Sequence, residues 1–227
     1  MQYLNQVLEY FDISEKYRSY QIELFNEYVG KNVLEVGAGR GKIIEILSND
    51  KSKFFTLLEL DNNFYDYLIK NLQSEKIIVK NKKTTQINDK FDTIIYLDVI
   101  EHIDKDEEEL NNALRLLEKN SHLIIIVPAF QILFSEFDKN VGHYRRYHKK
   151  FFKDYAQKNS LEIKQLKYFD VLGFFIVFLS KFIGLTNSKR NKLGIKIWNF
   201  LIPLSKFLDK IIFHSLGKSI ICVYKKK

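Results

Sequence analysis

Cysteine and tryptophan each occur once in this chain of 227 residues, at Cys222 and Trp198, and proline only twice. A single cysteine excludes an internal disulfide and a cysteine-based zinc site, and suits a reducing compartment, so a cytoplasmic location is expected. No run of about 18 apolar residues is present that would span a bilayer. The opening stretch MQYLNQVLEYFDISEKYRSYQIELF reads as an amphipathic, charged helix without the basic and apolar regions of a secretory leader. Internal repeats, low-complexity tracts and Pro/Gly/Ser linkers are also missing. One domain is therefore expected, with an N-terminal helical cap (1–29), a core (30–169), a helical insertion (170–218) and a last strand with its tail (219–227).

What is present can fill a core unaided: 46% of the residues are apolar and 15% aromatic. Short β-type runs alternate with helical patterns. NVLEV (32–36), FFTLLEL (54–60), KIIV (76–79), DTIIYL (92–97), HLIIIV (122–127), EIKQLKYF (162–169) and SIICVY (219–224) read as seven strands. The first five are nearly continuous apolar, as parallel strands buried on both faces are. Helical periodicity fills the gaps at 42–48, 62–72 and 105–118. This alternation predicts an α/β fold with a doubly wound, Rossmann-like sheet.

Nine glycines occur in the chain, and three fall in the five residues Gly37 to Gly41 of VLEVGAGRGK, directly after the first strand. In such sheets the ligand sits at the carboxyl ends of the strands, where the first turn enters a helix. A P-loop fails on spacing: three residues, not four, separate Gly37 from Gly41, and Ile43 stands where Ser or Thr is needed. A dinucleotide fingerprint also departs, because the loop is G-x-G-x-G. At the end of the second strand, Glu59 and Asp61 flank Leu60, and either acid could accept a ribose's hydroxyls. Asp61 could instead cap the next helix.

The glycine loop, the acidic ELD and FDTIIYLDVIEHI (91–103) together resemble class I S-adenosylmethionine-dependent methyltransferases of the small-molecule branch, which includes ubiquinone-pathway O-methyltransferases. The resemblance covers about residues 30–130 and implies a seven-stranded sheet whose last strand is antiparallel. It places Gly37, Ala38, Gly39 and Gly41 by the methionine part of the cofactor, with Glu35 also among the cofactor-binding residues. Glu59, with Leu60 and Asp61, falls by the ribose, and Leu97 and Asp98 by the sulfonium. Family members often carry an acid near the adenine amine, and here Asn81 is the nearest polar residue. His102, in the family's EH pair, is assigned to the pocket and helix start. The acids Asp104 and Asp106 to Glu109 complement a helix N-terminus, so no metal site is expected.

Further on, FDKNVGHYRRYHKKFF (137–152) resembles a methyltransferase subgroup associated with glycan or lipid-linked glycan modification, with its GHYRRY-like segment. On this reading Arg145 and Arg146 hold a phosphate or carboxylate, and His143 or a tyrosine such as Tyr144 takes the acceptor's proton. In the alternative, one arginine pairs with Asp138 and the tyrosines pack the loop.

From Lys181 onward, eleven Lys or Arg face one acid, Asp209, which leaves +10 there and −2 over the rest of a chain whose net charge is +8. Ile197, Trp198, Leu201, Leu204, Leu208 and Ile211 recur at helical spacing. Basic residues set among large apolar ones fit an anionic membrane surface at residues 170–218, at the inner face of the membrane, better than nucleic acid. A simple lid over the acceptor pocket is the alternative. The sequence thus predicts an S-adenosylmethionine-dependent methyltransferase acting on oxygen of a small or lipid-linked acceptor. An NAD-type oxidoreductase or non-catalytic nucleotide binder is the second reading, and a nucleic-acid methyltransferase the third.

Overall fold

The structure is a computed structural model and describes residues 14–182 and 192–227. Seven strands form one sheet in the order β3-β2-β1-β4-β5-β7-β6. They are β1 (Asn32–Val36), β2 (Phe54–Leu58), β3 (Ile77–Lys80), β4 (Phe91–Leu97), β5 (Leu117–Pro128), β6 (Glu162–Phe169) and β7 (Ser219–Lys225). The first five pair in parallel, and β7 runs antiparallel between β5 and β6. This is the α/β, Rossmann-like sheet with an antiparallel last strand that the sequence implies. β1 connects outward to β2 while β4 lies on its other side, so the carboxyl ends of β1 and β4 border the crevice where strand order reverses.

Helices α1 (Glu15–Phe25), α2 (Lys42–Leu47), α3 (Asn62–Asn71), α4 (Asp106–Leu116), α5 (Glu136–Asn140), α6 (Lys149–Lys158), α7 (Val171–Phe182) and α8 (Lys192–Ile211) surround the sheet. Alternate strand residues feed two buried layers. Val33, Leu57, Ile95, Ile126 and Ile221 meet Phe25 of α1, Ile44 of α2 and Trp198 of α8. Leu34, Leu58, Tyr96, Ile125 and Cys222 meet Leu110 of α4 and Phe152 of α6. Strands buried on both faces are apolar at most positions, which is why these runs carry little alternation.

Element ends differ from the sequence reading where backbone pairing takes over. β2 stops at Leu58 because the Leu58 carbonyl turns to accept the Gly37 and Ala38 amides, at 2.8 and 3.1 Å. α4 stops at Leu116, and β5 begins at Leu117, because Leu117 already pairs with Phe91 beside a bulge in the β4–β5 ladder.

Between β6 and β7 stand α7 and α8, and two buried carboxylates fasten them. Asp170, at φ 64°, accepts from Trp198 Nε1 at 2.9 Å and Ser205 Oγ at 3.0 Å. Asp209 accepts from the Asp170 and Val171 amides at 2.7 and 2.9 Å and from the Tyr20 hydroxyl at 2.8 Å. These bonds correct the sequence reading of Trp198 as part of an outward stripe, because its indole is buried between Tyr17 and Asp170. The inward face of α8 is Ile195, Trp198, Ile202, Ser205 and Asp209. Leu204 and Ile211 do face out, together with Ile197, Phe200 and Phe207, while Leu201 and Leu208 are half-buried. No helix among the described residues is long and apolar enough to cross a membrane.

Candidate active site

A cavity of about 720 Å³ opens at the carboxyl ends of β1, β2 and β4. One end is the turn from β1 into α2. Gly37, Gly39 and Gly41 all take left-handed backbone angles there, each for a different spatial reason. A Cβ on Gly37 would meet Val99 at 2.7 Å, and one on Gly41 would meet Leu72 at 2.3 Å, so those two are glycine for packing. A Cβ on Gly39 would meet nothing within 4 Å. Its backbone borders the cavity, which is the geometry of a chain left bare for a ligand.

Glu59 ties this loop to β2. Its carboxylate accepts from the Gly39 amide at 2.7 Å and from the Asp61 amide at 2.8 Å. Burial raises its pKa, while those amide bonds pull it back. Asp61 caps α3, accepting from the Asn63 and Phe64 amides at 2.9 and 3.3 Å. Both acids and Leu60 line the cavity. Glu35 lines it from β1, with Oε2 buried and without a hydrogen-bond partner. Burial pushes the Glu35 carboxyl up to about 8 against the pull of Arg18. Leu97 and Asp98 complete the wall at the end of β4, Asp98 in a left-handed conformation at φ 56°.

The other end is built from the turn after β4 and the loop after α5. Glu101, His102, His143 and Arg146 all line it. Asp138 organises the loop. It accepts from Arg146 Nε at 2.8 Å and Nη2 at 3.0 Å, from the Ser135 amide at 2.9 Å, and bonds His143 Nδ1 at 2.8 Å. Burial alone would raise the Asp138 carboxyl, but His143 and the Arg146 guanidinium together hold it well below the usual carboxylate range. Arg146 Nη1 and both Glu101 carboxylate oxygens are buried without partners. His102 is pushed down to about 4 by burial and by His143 beside it.

The structure therefore brings together Glu35, Gly37, Ala38, Gly39, Glu59, Leu60, Asp61, Leu97, Asp98, His143 and Arg146 around one cavity. Four residues of the sequence reading stand apart. Asn81 donates to Asn62 Oδ1 and is exposed, leaving the wall after β3 to Lys82, Lys83 and Thr84. Gly41 lies behind the loop against Leu68 and Leu72. Tyr144 is 56% exposed and points away, its amide on the Glu101 carbonyl and its ring under the Arg145 guanidinium. Arg145 also leaves the site, pairing with Asp104 and Asp106. Tyr17 and Arg18 of α1 line the cavity although nothing in their local sequence marks them. Glu101 was legible as half of the EH pair.

Residues 12–166 match the profile of a methyltransferase domain family. The chain belongs to that family. A search of curated protein sequences finds no significant match. Among solved structures, a SAM-dependent methyltransferase from Archaeoglobus fulgidus superposes at TM-score 0.62 with 16% identity, over 94% of each chain. Phosphoethanolamine N-methyltransferase 2 of Haemonchus contortus, in complex with S-adenosyl-L-methionine, gives TM-score 0.63 at 13% identity over 92% of this chain and 52% of its own. Coclaurine N-methyltransferase, bound to N-methylheliamine and SAH, gives 0.62 at 14% identity over 92% of this chain and 72% of its own. The enzyme is thus a methyltransferase, and the family match decides the ambiguous glycine loop against a dinucleotide oxidoreductase.

Proposed function

We propose that the enzyme transfers a methyl group from S-adenosylmethionine to a hydroxyl of a small or lipid-linked acceptor. The observation that carries this reading is a single cavity with a bare glycine loop and acids at one end and a fixed histidine at the other. When bound, S-adenosylmethionine supplies an electrophilic methyl group on a positively charged sulfur. The residues fit it: Gly39 leaves open space at the loop, Glu59 sits where a ribose's hydroxyls would reach it, and Glu35 offers an unpartnered oxygen to a cation. Asp138 fixes the ring of His143 so that Nε2 faces the cavity, where it draws the acceptor's proton. The unpartnered Nη1 of Arg146 is a ready donor for an acceptor oxygen. Incubating the enzyme with labelled S-adenosylmethionine and an extract divided into lipid and aqueous fractions tests the reading. Label in a base-stable ether supports O-methylation; label recovered only in amines contradicts it.

Two predictions concern the cofactor end. Glu59→Ala should weaken S-adenosylhomocysteine binding by about 1 to 3 kcal/mol, the scale of lost charge-assisted hydrogen bonds, as read by calorimetry. Asp61→Ala should act mainly on stability, by about 1 kcal/mol, as the loss of a cap does. The second is a pH dependence. Glu35 is protonated in the free enzyme below about pH 8, and a cationic ligand favours its ionised form. Affinity for S-adenosylmethionine should therefore rise with pH towards 8, by at most about tenfold per unit, and level off above. Glu35→Gln should flatten the profile.

The lipid-linked reading rests on the outward face of α7 and α8. Phe175, Ile176 and Leu179 of α7 and Ile197, Phe200, Leu204, Phe207 and Ile211 of α8 are exposed, with Lys196 and Lys210 beside them. α7 packs on the turn at Gln131–Leu133, which leads into the acceptor loop. An anionic lipid surface at the inner face of the membrane would satisfy both the apolar face and the basic charge. Association should be stronger on anionic than neutral vesicles and should fall with salt. Replacing Phe200 and Phe207 with serine should reduce pelleting at unchanged stability. Trp198→Ser should instead cost about 3 to 5 kcal/mol of stability, since it empties a buried site. Equal, negligible pelleting with both lipids would leave the helices as a lid.

A further inference from the structure

Glu101 poses a problem that methyl transfer by the fixed histidine does not solve. Its side chain is fully buried, yet neither carboxylate oxygen has a hydrogen-bond partner. Buried carboxylates are normally hydrogen-bonded, paired with a cation or bound to a metal. Burial first, and then the like charges of Asp98 and Asp138, push the Glu101 carboxyl well above the usual carboxylate range, so its ionised form needs a cation beside it. Arg146 is the guanidinium that acts on it, but the Arg146 fork is committed to Asp138 through Nε and Nη2.

Two imidazoles stand next to this carboxylate. Glu101 and His102 are adjacent in the turn after β4, and His143 arrives from the loop after α5. One donor atom from each lies within 4.8 Å of the other two. The rings of His102 and His143 meet edge-on, with centroids 4.6 Å apart. His143 Nε2 is 3.9 Å from Glu101 Oε1, too long for a hydrogen bond. Donor atoms on a tetrahedral ion with bonds near 2.1 Å stand about 3.4 Å apart, so small side-chain rotations would close the set on one ion.

We propose that Glu101, His102 and His143 form the binding site of one divalent transition-metal ion of the zinc type, at the acceptor end of the cavity. The surrounding hydrogen bonds already have the form such a site takes. Asp138 holds His143 by Nδ1, fixing the tautomer and leaving the Nε2 lone pair for the ion, and is itself held by Arg146 and Ser135. His102 has the Val141 and Gly142 backbone against it, which orients its ring. Two imidazoles and one carboxylate favour zinc and its neighbours over magnesium or calcium, which take oxygen ligands. Three protein ligands leave a coordination position open, and all three residues line the cavity.

The proposal rests on reading the cavity as a joint cofactor and acceptor site, and it refines the role of His143. The acceptor's hydroxyl oxygen takes the open position and its proton leaves to solvent. The oxygen–methyl bond then forms as the sulfur–methyl bond breaks, with that electron pair going to sulfur. Charge build-up on oxygen is held by the ion rather than by an imidazole alone.

Cobalt(II) is the probe, because its visible absorption reports coordination number directly. The full-length, chelator-treated enzyme should take up one equivalent of cobalt with the intense bands of a four- or five-coordinate site, and zinc should displace it. Glu101→Gln and His143→Ala should each weaken binding by about 100-fold or more, and Asp138→Asn by about 10- to 100-fold. Magnesium and calcium should not compete. S-adenosylhomocysteine affinity and thermal midpoint, measured on the same samples, report folding and the cofactor end separately. Enzyme that binds S-adenosylhomocysteine but takes up no cobalt, or takes it up equally after both substitutions, overturns the metal site and leaves the methyltransferase reading standing. Failure to bind S-adenosylhomocysteine, with cobalt uptake intact, overturns the cofactor reading instead.

Discussion

Replacing His143 with alanine should lower kcat by about 100-fold or more while S-adenosylhomocysteine binds as before. The two effects separate because the imidazole and the glycine loop stand at opposite ends of the cavity. Asp138 and Glu101 hold or face His143, whereas Glu59 holds Gly39. Removing the ring deletes the imidazole nitrogen that Asp138 orients at the cavity. It also leaves Asp138 paired with Arg146 and Ser135, so the fold should survive. Steady-state kinetics with the acceptor found by labelling checks this. A variant that raises only the acceptor's KM, with kcat intact, would make His143 a binding residue.

Gly39→Val should abolish cofactor binding in a protein that still folds. Two costs coincide at this position. Its φ of 56° lies in the left-handed region, which a β-branched residue adopts only with strain. The new side chain would also project into space that is open in the structure and borders the cavity. Gly37→Val and Gly41→Val are poorer tests, because their side chains would collide with Val99 and Leu72 and disturb packing first. Unchanged S-adenosylhomocysteine affinity in a folded Gly39→Val protein would contradict the placement of the cofactor.

How far the sequence could be read varied with how local the cause was. β1 and β6 were legible residue for residue, since turn-forming residues bound them: Gly37 after β1, and Ser160 before and Asp170 after β6. The end of α4 was not, because it depends on Leu117 pairing with Phe91, a partner 26 residues earlier in the chain. Helix α8 shows the limit most clearly. Spacing alone finds an apolar stripe containing Trp198, but this helix is apolar on both faces. Its inward side is chosen by Ser205 and Asp209, whose polar atoms serve the β6–α7 junction.

The candidate site divides in the same way. The glycine loop and the acids after β2 announce themselves by residue type and order, and they do border the cavity. In the GHYRRY-like segment, residue types were visible but directions were not. Arg146 and His143 turn inward onto Asp138, while Arg145 turns to Asp104 and Asp106 and Tyr144 to solvent. Tyr17 and Arg18 reach the cavity only because α1 packs on α2 and α8.

Calorimetry of S-adenosylhomocysteine against NAD on the purified chain decides which cofactor the glycine loop holds. The account predicts one S-adenosylhomocysteine bound per chain, no heat from NAD, and loss of binding in Gly39→Val. Binding of NAD with no response to S-adenosylhomocysteine would contradict it.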